Sequence, residues 1–379
     1  MDVLPQAHGF EVFGHASVCA IRRARGYSGQ NALAILSNAV KMRAFPGAAF
    51  AVLHRGETVL QGSVGRFTYE DASEGVTLST VFDLASVTKV VATTAMAMLL
   101  FERGHLDLRQ PVIAHLADFA AADLRRKQVT VEMLLAHSSG LPAYVRLFEQ
   151  AQDRTSLLRL AYQTPLETDP GTRAEYSDIG FILLGELLQR IAGETVATFC
   201  SRDIFAPLAM SSTFFNPAKA MRQEIPPTVN DESFRHRIIQ GEVHDENASV
   251  MGGVSGHAGV FSNTSDLMKF CAGILSEGQT IFREETVRLF TRRQLSPPGT
   301  SRALGWDTPS PPSQSGKHFS AGSFGHLGYT GTSLWIDGDR EIAIALLTNR
   351  TWPDRQSQSI KQVRPAFHDA LMEELLRIS

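Results

Sequence analysis

The sequence predicts an α/β (α+β) protein. One mixed sheet is built from both chain termini and flanked by helices, and a mainly helical subdomain is inserted between them. Three observations predict it. A helical pattern and then a strand–turn–strand pattern lie near the N-terminus; two strands and a closing helix lie at the C-terminus; the residues between read mostly as helices, without internal repeats. The 379 residues suffice for a large core, and the 43% apolar and 20% charged fractions are those of a globular protein. The formal net charge is −3 with no long basic stretch, so nucleic acid is not an expected partner.

Residues 1–28 have weak periodicity and are expected to form an N-terminal arm. Residues 29–379 are expected to form a single domain, with 29–80 and 320–379 as its α/β part and 81–319 as its mainly helical part. Gln30 to Ala44 reads as a helix through Leu33, Leu36 and Val40, ended by Phe45-Pro-Gly47. Ala48 to Leu53 and Thr58 to Val64 read as strands joined at His54-Arg-Gly-Glu57. In the middle, Thr130 to His137 has a capping pattern, Thr155 to Tyr162 is helical, and the turn-rich Pro170–Asp178 leads into helices at Ile179–Ala192 and Thr195–Phe205. Asn216 to Glu246 reads as loop. Gly252 to Gly259 reads as a tight loop without the residue order of a phosphate loop or a dinucleotide fingerprint. Helices follow at Asn263–Glu277 and Glu284–Thr291, then a Ser/Pro/Gly-rich surface loop at Pro297–Ala321. Gly328–Asp337 and Glu341–Asn349 read as strands, the second central because Ile342–Leu347 is continuously apolar, and Gln358–Ile378 closes the chain as a helix.

The three cysteines, Cys19, Cys200 and Cys271, are far apart and form no zinc pattern, so core thiols are expected. No apolar run reads as long enough to cross a bilayer, and residues 1–25 have no continuous apolar stretch of the signal-peptide kind. The expectation is a cytoplasmic protein without a membrane partner, or a periplasmic or secreted one if the start is trimmed.

The chemistry centres on Phe82 to Phe101. From Ser86 to Arg103 there is no Gly or Pro, and apolar residues fill most positions, the pattern of a buried helix. Ser86 and Lys89 enter it at i and i+3, on one face. A serine hydroxyl needs a neighbouring base to become a nucleophile. Burial lowers a lysine pKa and can make the amine that base. The alternative is an ordinary helix start, with Ser86 as cap and Lys89 reaching solvent. Such a pair needs a second proton shuttle and a strand to frame the substrate. Tyr176-Ser-Asp178, between a Pro-Gly turn and a buried helix, is a candidate for the first. Gly325-His-Leu-Gly-Tyr-Thr-Gly331, with His326 and two glycines at the start of a strand, is a candidate for the second. The plainer readings are a buried tyrosine and a satisfied turn histidine.

Ser86-Val-Thr-Lys89, Tyr176-Ser-Asp178 and His326-Leu-Gly328 resemble, in order and type, the three motifs of the serine β-lactamase and penicillin-binding-protein superfamily. The Tyr and His variants look like the class C branch with its esterases, D-aminopeptidases and DD-peptidase-like hydrolases. Phe45-Pro-Gly47, Leu134–Pro142, Pro207–Met210 and Leu347-Thr-Asn-Arg350 extend the resemblance over most of the chain. It implies the β-lactamase/transpeptidase-like fold, with an antiparallel sheet from both chain termini flanked by helices, and no cofactor. It implies Ser86 as acylated nucleophile, Lys89 as proton acceptor, and Tyr176 as base and then donor to the leaving group. The N–H groups of Ser86 and Tyr329 would form the oxyanion hole, with His326, Asp178 and Gly328 beside the substrate.

Two departures matter. His326-Leu-Gly328 lacks the lysine and hydroxyl that would bind a substrate carboxylate, which argues against strong β-lactamase or DD-carboxypeptidase activity. Asp178 stands where Asn is common; it accepts but cannot donate hydrogen bonds, and it favours the charged form of Lys89. That suits a substrate amide N–H or ammonium, or shifts proton duty to Tyr176. The polar stretch Val243–Ala248 with Gly256-His257 reads as a lid, a substrate-contacting loop or a structural loop. His244, Asp245 and His257 match no metal spacing, and no metal is expected. The stretch Met251–Gly259 resembles a subgroup associated with muropeptides. The expectation is a serine hydrolase that forms an acyl-enzyme on Ser86 and cleaves an amide or ester of a small substrate, cell-wall-derived amides first. A promiscuous carboxylesterase, or a penicillin-binding module that acylates without turnover, is the alternative.

Overall fold

The computed structural model describes residues 19–120, 123–276, 278 and 280–378. β1 (Cys19–Arg23), α1 (Gln30–Lys41), β2 (Gly47–His54) and β3 (Glu57–Gly65) open the described chain. The expected N-terminal arm thus contributes a strand, and residues 1–18 lie outside the described residues. β4 (Phe82–Asp83) leads into the nucleophile segment and α2 (Ala95–Glu102). α3 (Val131–Leu135), α4 (Arg154–Gln163), α5 (Asp178–Ala192) and α6 (Val196–Cys200) follow. Then come β5 (Phe214–Phe215), β6 (Pro227–Asp231), β7 (Arg237–Gln240), α7 (Glu246–Val250), β8 (Val260–Ser262), α8 (Thr264–Leu275) and α9 (Glu284–Thr291). β9 (Phe324–Leu327), β10 (Ser333–Asp337), β11 (Ile342–Thr348) and α10 (Ile360–Ile378) close the chain.

The main sheet runs β1-β3-β2-β11-β10-β9, antiparallel throughout, so strands from both termini meet at β2 and β11. The strand period of two sorts each side chain to a face. Ile342, Ile344 and Leu346 of β11 join Phe50 and Val52 under α1 and α10, where Phe367 meets Phe50 edge to face at 5.3 Å. Ala343, Ala345 and Leu347 point the other way with Ala49 and Ala51. That face is built of small residues, and α8 packs on β2 and β11 there. β11 is central and fully buried, as its unbroken apolar run predicts.

Several elements differ from the sequence expectation. The segment after β4 is not one α-helix. Ala85–Val87 is a 3-10 turn, Lys89–Thr94 is π-helical, and α-geometry begins at Ala95. Side chains of this segment bond neighbouring backbone: Thr88 Oγ1 accepts from Val260 N (3.0 Å) and Thr93 Oγ1 donates to Gly256 O (2.6 Å). π turns recur at functional sites. Ala85–Glu102 is also long and apolar enough, by length and composition, to cross a membrane, contrary to the reading of the sequence; it is 83% buried in the protein, as a core helix. The stretch read as loop at 216–246 holds the β6–β7 hairpin. Of the strand expected at Gly328–Asp337 only Ser333–Asp337 is strand, β10; residues 328–332 are the turn that joins it to β9, and His326 lies near the end of β9 rather than at a strand start. The surface loop expected at 297–321 drives Ala303, Leu304 and Trp306 into the core. Its backbone is satisfied there, with Leu304 N on Phe290 O and Gly305 N on Leu135 O, both at 2.9 Å. Cys200 and Cys271 are buried free thiols.

Candidate active site

The nucleophile segment is fixed from both sides. Asp83, fully buried, accepts from Ala85 N (2.8 Å) and His244 N (2.6 Å), and burial pushes its carboxyl up to about 6. Ala85 has a left-handed backbone, φ +47, a costly conformation for a residue with a Cβ and one that clusters at functional sites. It turns the chain sharply just before Ser86. The carbonyls of Asp83 and Leu84 accept from Thr330 Oγ1 and Thr332 Oγ1, each at 2.9 Å. These hydroxyls staple the turn after β9 to the nucleophile segment. A Cβ on Gly328 would lie 2.5 Å from Leu84 O and 1.8 Å from Thr332 Oγ1, so only glycine permits this approach.

Ser86 Oγ lies between two groups. Tyr176 OH donates to it at 2.7 Å, and Lys89 Nζ lies 3.1 Å away. Lys89 is wholly buried, so its charged form loses solvation and its pKa is lowered; the Asp178 carboxylate at 2.7 Å opposes that shift. The third partner of Nζ is the His257 carbonyl, at 3.1 Å. Three partners suit both protonation states. An ammonium donates to all three; a neutral amine donates to Asp178 and His257 and turns its lone pair to Ser86. The amine can therefore take the serine proton without moving. Burial, and then the Asp178 charge, push the Tyr176 phenol well above its ordinary value, so it holds its proton at neutral pH.

The second motif is held by the stretch 134–142. Ser177 caps α5, accepting from Gly180 N (3.0 Å) and donating to Pro142 O (2.6 Å). Its own N–H donates to His137 Nδ1 at 3.0 Å. The His137 ring lies 4.8 Å from the Tyr176 ring and 5.0 Å from that of Phe181, a platform under the tyrosine. Burial lowers the His137 pKa well below its usual value, as an accepting Nδ1 requires.

His326 is buried, with its ring 5.9 Å from that of Tyr176. Its Nδ1 lies 2.8 Å from the Leu327 carbonyl, and since a carbonyl only accepts, Nδ1 carries the proton. Nε2 is then an acceptor, and it has no partner among the described residues. Burial, reinforced by Lys89, pulls the His326 pKa to about 3, so the ring is neutral at pH 7. Tyr329 is half exposed, and its ring lies between His244 (5.7 Å) and the Arg350 guanidinium (4.4 Å). Ser86, Tyr176, Asp178, His326, Gly328 and Tyr329 all line one cavity of about 660 Å³, and Lys89 lies buried behind it.

The structure adds residues that the sequence did not single out. Arg302 lines the cavity, 5.6 Å from the Tyr176 ring and 3.5 Å from Asp307; it comes from the stretch read as a surface loop, where composition carried no signal. For His137 the only signal was its place in Leu134–Pro142. Among the polar residues left open, Asp245 Oδ1 meets His257 Nε2 at 2.8 Å, and His257 Nδ1 meets Ser255 Oγ at 2.8 Å. This chain fixes the loop whose carbonyl holds Lys89. His244 faces Tyr329 instead. Among the described residues no group of three His, Cys, Asp or Glu side chains is placed to hold a metal ion.

A buried lysine and a tyrosine on one serine, at the seam of an antiparallel sheet and a helical part, define a class of serine hydrolase. The chain belongs to the β-lactamase family, whose description, Beta-lactamase, matches residues 33–364. It is 32% identical over 343 residues to an N-acetylmuramyl-L-alanine amidase of Bacillus subtilis (strain 168), covering 81% of this chain and 77% of that protein. It is 31% identical over 356 residues to a putative D-alanyl-D-alanine carboxypeptidase of Escherichia coli (strain K12), covering 86% and 79%. Two solved structures share the fold. One is EstCE1, a hydrolase with promiscuous acyltransferase activity (TM-score 0.75, 18% identity, 91% of this chain and 98% of that one). The other is the octameric penicillin-binding protein homologue from Pyrococcus abyssi (TM-score 0.70, 20% identity, 92% and 77%).

Proposed function

We propose that this serine hydrolase opens an amide of a small, cell-wall-derived substrate of the muramyl–L-alanine kind, through an acyl-enzyme on Ser86. The observation that carries the chemistry is the Ser86 Oγ, held between the Tyr176 hydroxyl at 2.7 Å and the Lys89 amine at 3.1 Å. Neutral Lys89 takes the Ser86 proton as Oγ attacks the acyl carbon. The N–H groups of Ser86 and Tyr329 receive the oxyanion. As the C–N bond breaks, Tyr176 gives its proton to the leaving nitrogen and recovers one from Lys89. Water then attacks the acyl carbon, its proton passes to the Lys89–Tyr176 pair, and Ser86 leaves protonated.

The substrate class rests on His326 and on the amidase among the relatives. A D-alanyl-D-alanine substrate presents a free carboxylate next to the scissile bond. His326 meets that region with a neutral ring whose unpaired Nε2 accepts a hydrogen bond and repels a carboxylate. An internal amide bearing N–H groups suits it better. The test is a panel: N-acetylmuramyl-L-alanine peptides, an N-acyl-D-alanyl-D-alanine peptide, short acyl esters and penicillin. The expected result is the highest kcat/KM on the muramyl amide. Faster turnover of the D-alanyl-D-alanine peptide or of short esters would contradict the substrate class. A stable penicillin adduct on Ser86 with no turnover of any amide would contradict the hydrolytic reading.

A further inference from the structure

Two arginines near the site have no carboxylate within ion-pair distance among the described residues. Arg350 Nε donates to the Tyr329 carbonyl at 2.7 Å, and its Nη1 to Ser357 O at 3.0 Å. Arg364, 4% exposed, reaches from α10 under the same turn. Its Nη2 donates to Thr332 O (3.2 Å) and Gly328 O (3.4 Å), and its Nη1 to Gln314 Oε1 (3.3 Å). Burying a cation without a counter-ion is expensive, and the surrounding carbonyl dipoles are what hold it. Gly328 O is the informative partner. It belongs to the same peptide unit as the Tyr329 N–H. That unit is trans, so its C=O and N–H point in opposite directions. The guanidinium therefore stands behind the N–H that receives the acyl oxygen. Hydrogen bonds in such a chain polarise one another, so a cation on the carbonyl makes the N–H a stronger donor.

We propose that Arg364 is a positioning residue of the oxyanion hole: its guanidinium, bonded to Gly328 O, orients and polarises the Gly328–Tyr329 peptide, with Arg350 fixing the next carbonyl. The proposal rests on Tyr329 N–H being half of that hole. Arg364 touches no substrate atom. Its contribution appears where charge develops on the acyl oxygen, so it enters kcat and leaves ground-state binding alone.

The test compares wild type with Arg364→Gln and Arg364→Lys on the preferred substrate of the panel, and reads the acyl carbonyl stretch of the Ser86 acyl-enzyme by infrared difference spectroscopy. Arg364→Gln is expected to lose about tenfold or more in kcat, with KM changed by no more than about twofold, and to shift the band to higher wavenumber. Arg364→Lys keeps the cation, and is expected to stay within about threefold of wild type with the band unshifted. If Arg364→Gln lost activity with no band shift, or the two variants lost equally with KM rising in step, the residue would be structural and the proposal overturned. Should Arg364→Gln not fold, Arg364→Lys decides alone: a displaced band in that variant overturns the proposal. Absence of any wild-type adduct on Ser86 would instead sink the acyl-enzyme reading, so the two failures are distinguishable.

Discussion

The two faces of the main sheet are built for different ends. Under α1 and α10 the contacts are apolar, Phe50, Ile344 and Leu346 against Phe367 and Leu371, and dispersion and burial stabilise them. At the opposite seam, where β9 and the turn after it meet the nucleophile segment, the buried groups are Asp83, Lys89 and His326, and Arg364 of α10 reaches under the same turn from the other side. Each costs solvation, and Lys89 and Arg364 in particular would pack more cheaply as apolar residues. The contrast teaches where this fold spends stability: the terminal helices and sheet hold the molecule together, and the seam holds charged and titratable groups stripped of their solvation.

Three changes break or sharpen that contrast. The largest effect is expected from Lys89→Met. Removing the proton acceptor should lower kcat/KM by about a thousandfold or more, while stability stays the same or rises by about 1–2 kcal/mol, because an apolar chain replaces a desolvated amine and Asp178 faces the cavity. Steady-state kinetics and denaturant unfolding of the same preparation check both halves; a large loss of stability would mean Lys89 holds the fold. Phe367→Ala should do the reverse. It empties a fully buried site against Phe50 and should cost about 3–5 kcal/mol of stability, with kcat per folded molecule unchanged, which active-site titration reads. The smallest effect is expected from Asp178→Asn. The base must be neutral, so activity rises with pH through the Lys89 titration. The Asp178 charge raises that pKa against the lowering by burial. Removing it should move the acidic limb of the kcat/KM profile to lower pH. A limb moving to higher pH would contradict the assignment of Lys89 as base.

The same division governs what could be read from the chain. The fold class was legible because β2, β3 and β11 carry their apolar pattern locally, and α1 and α10 are single uninterrupted segments. Ser86, Lys89, Tyr176 and His326 were legible as motif residues. Their states were not. The stretch from Lys89 is π-helical, and Thr88 and Thr93 bond backbone at Val260 and Gly256, far along the chain. The neutrality of His326 depends on its burial, and its tautomer on the Leu327 carbonyl. Arg302 and Arg364 reach the site from a Pro/Gly/Ser-rich loop and from a helix whose pattern marks only its apolar face. Nothing local distinguishes such an arginine from a solvated one, because its role is set by what the fold brings to it.

The central claim is that Lys89 activates Ser86, and intact-mass analysis after exposure to a fluorophosphonate tests it most directly. The serine oxygen would displace fluoride and form a stable Ser–O–P bond. The account predicts one adduct on wild type at Ser86, none on Ser86→Ala, and formation slowed by about a thousandfold in Lys89→Met. No adduct on folded wild type, or an adduct that forms as fast in Lys89→Met, would contradict it.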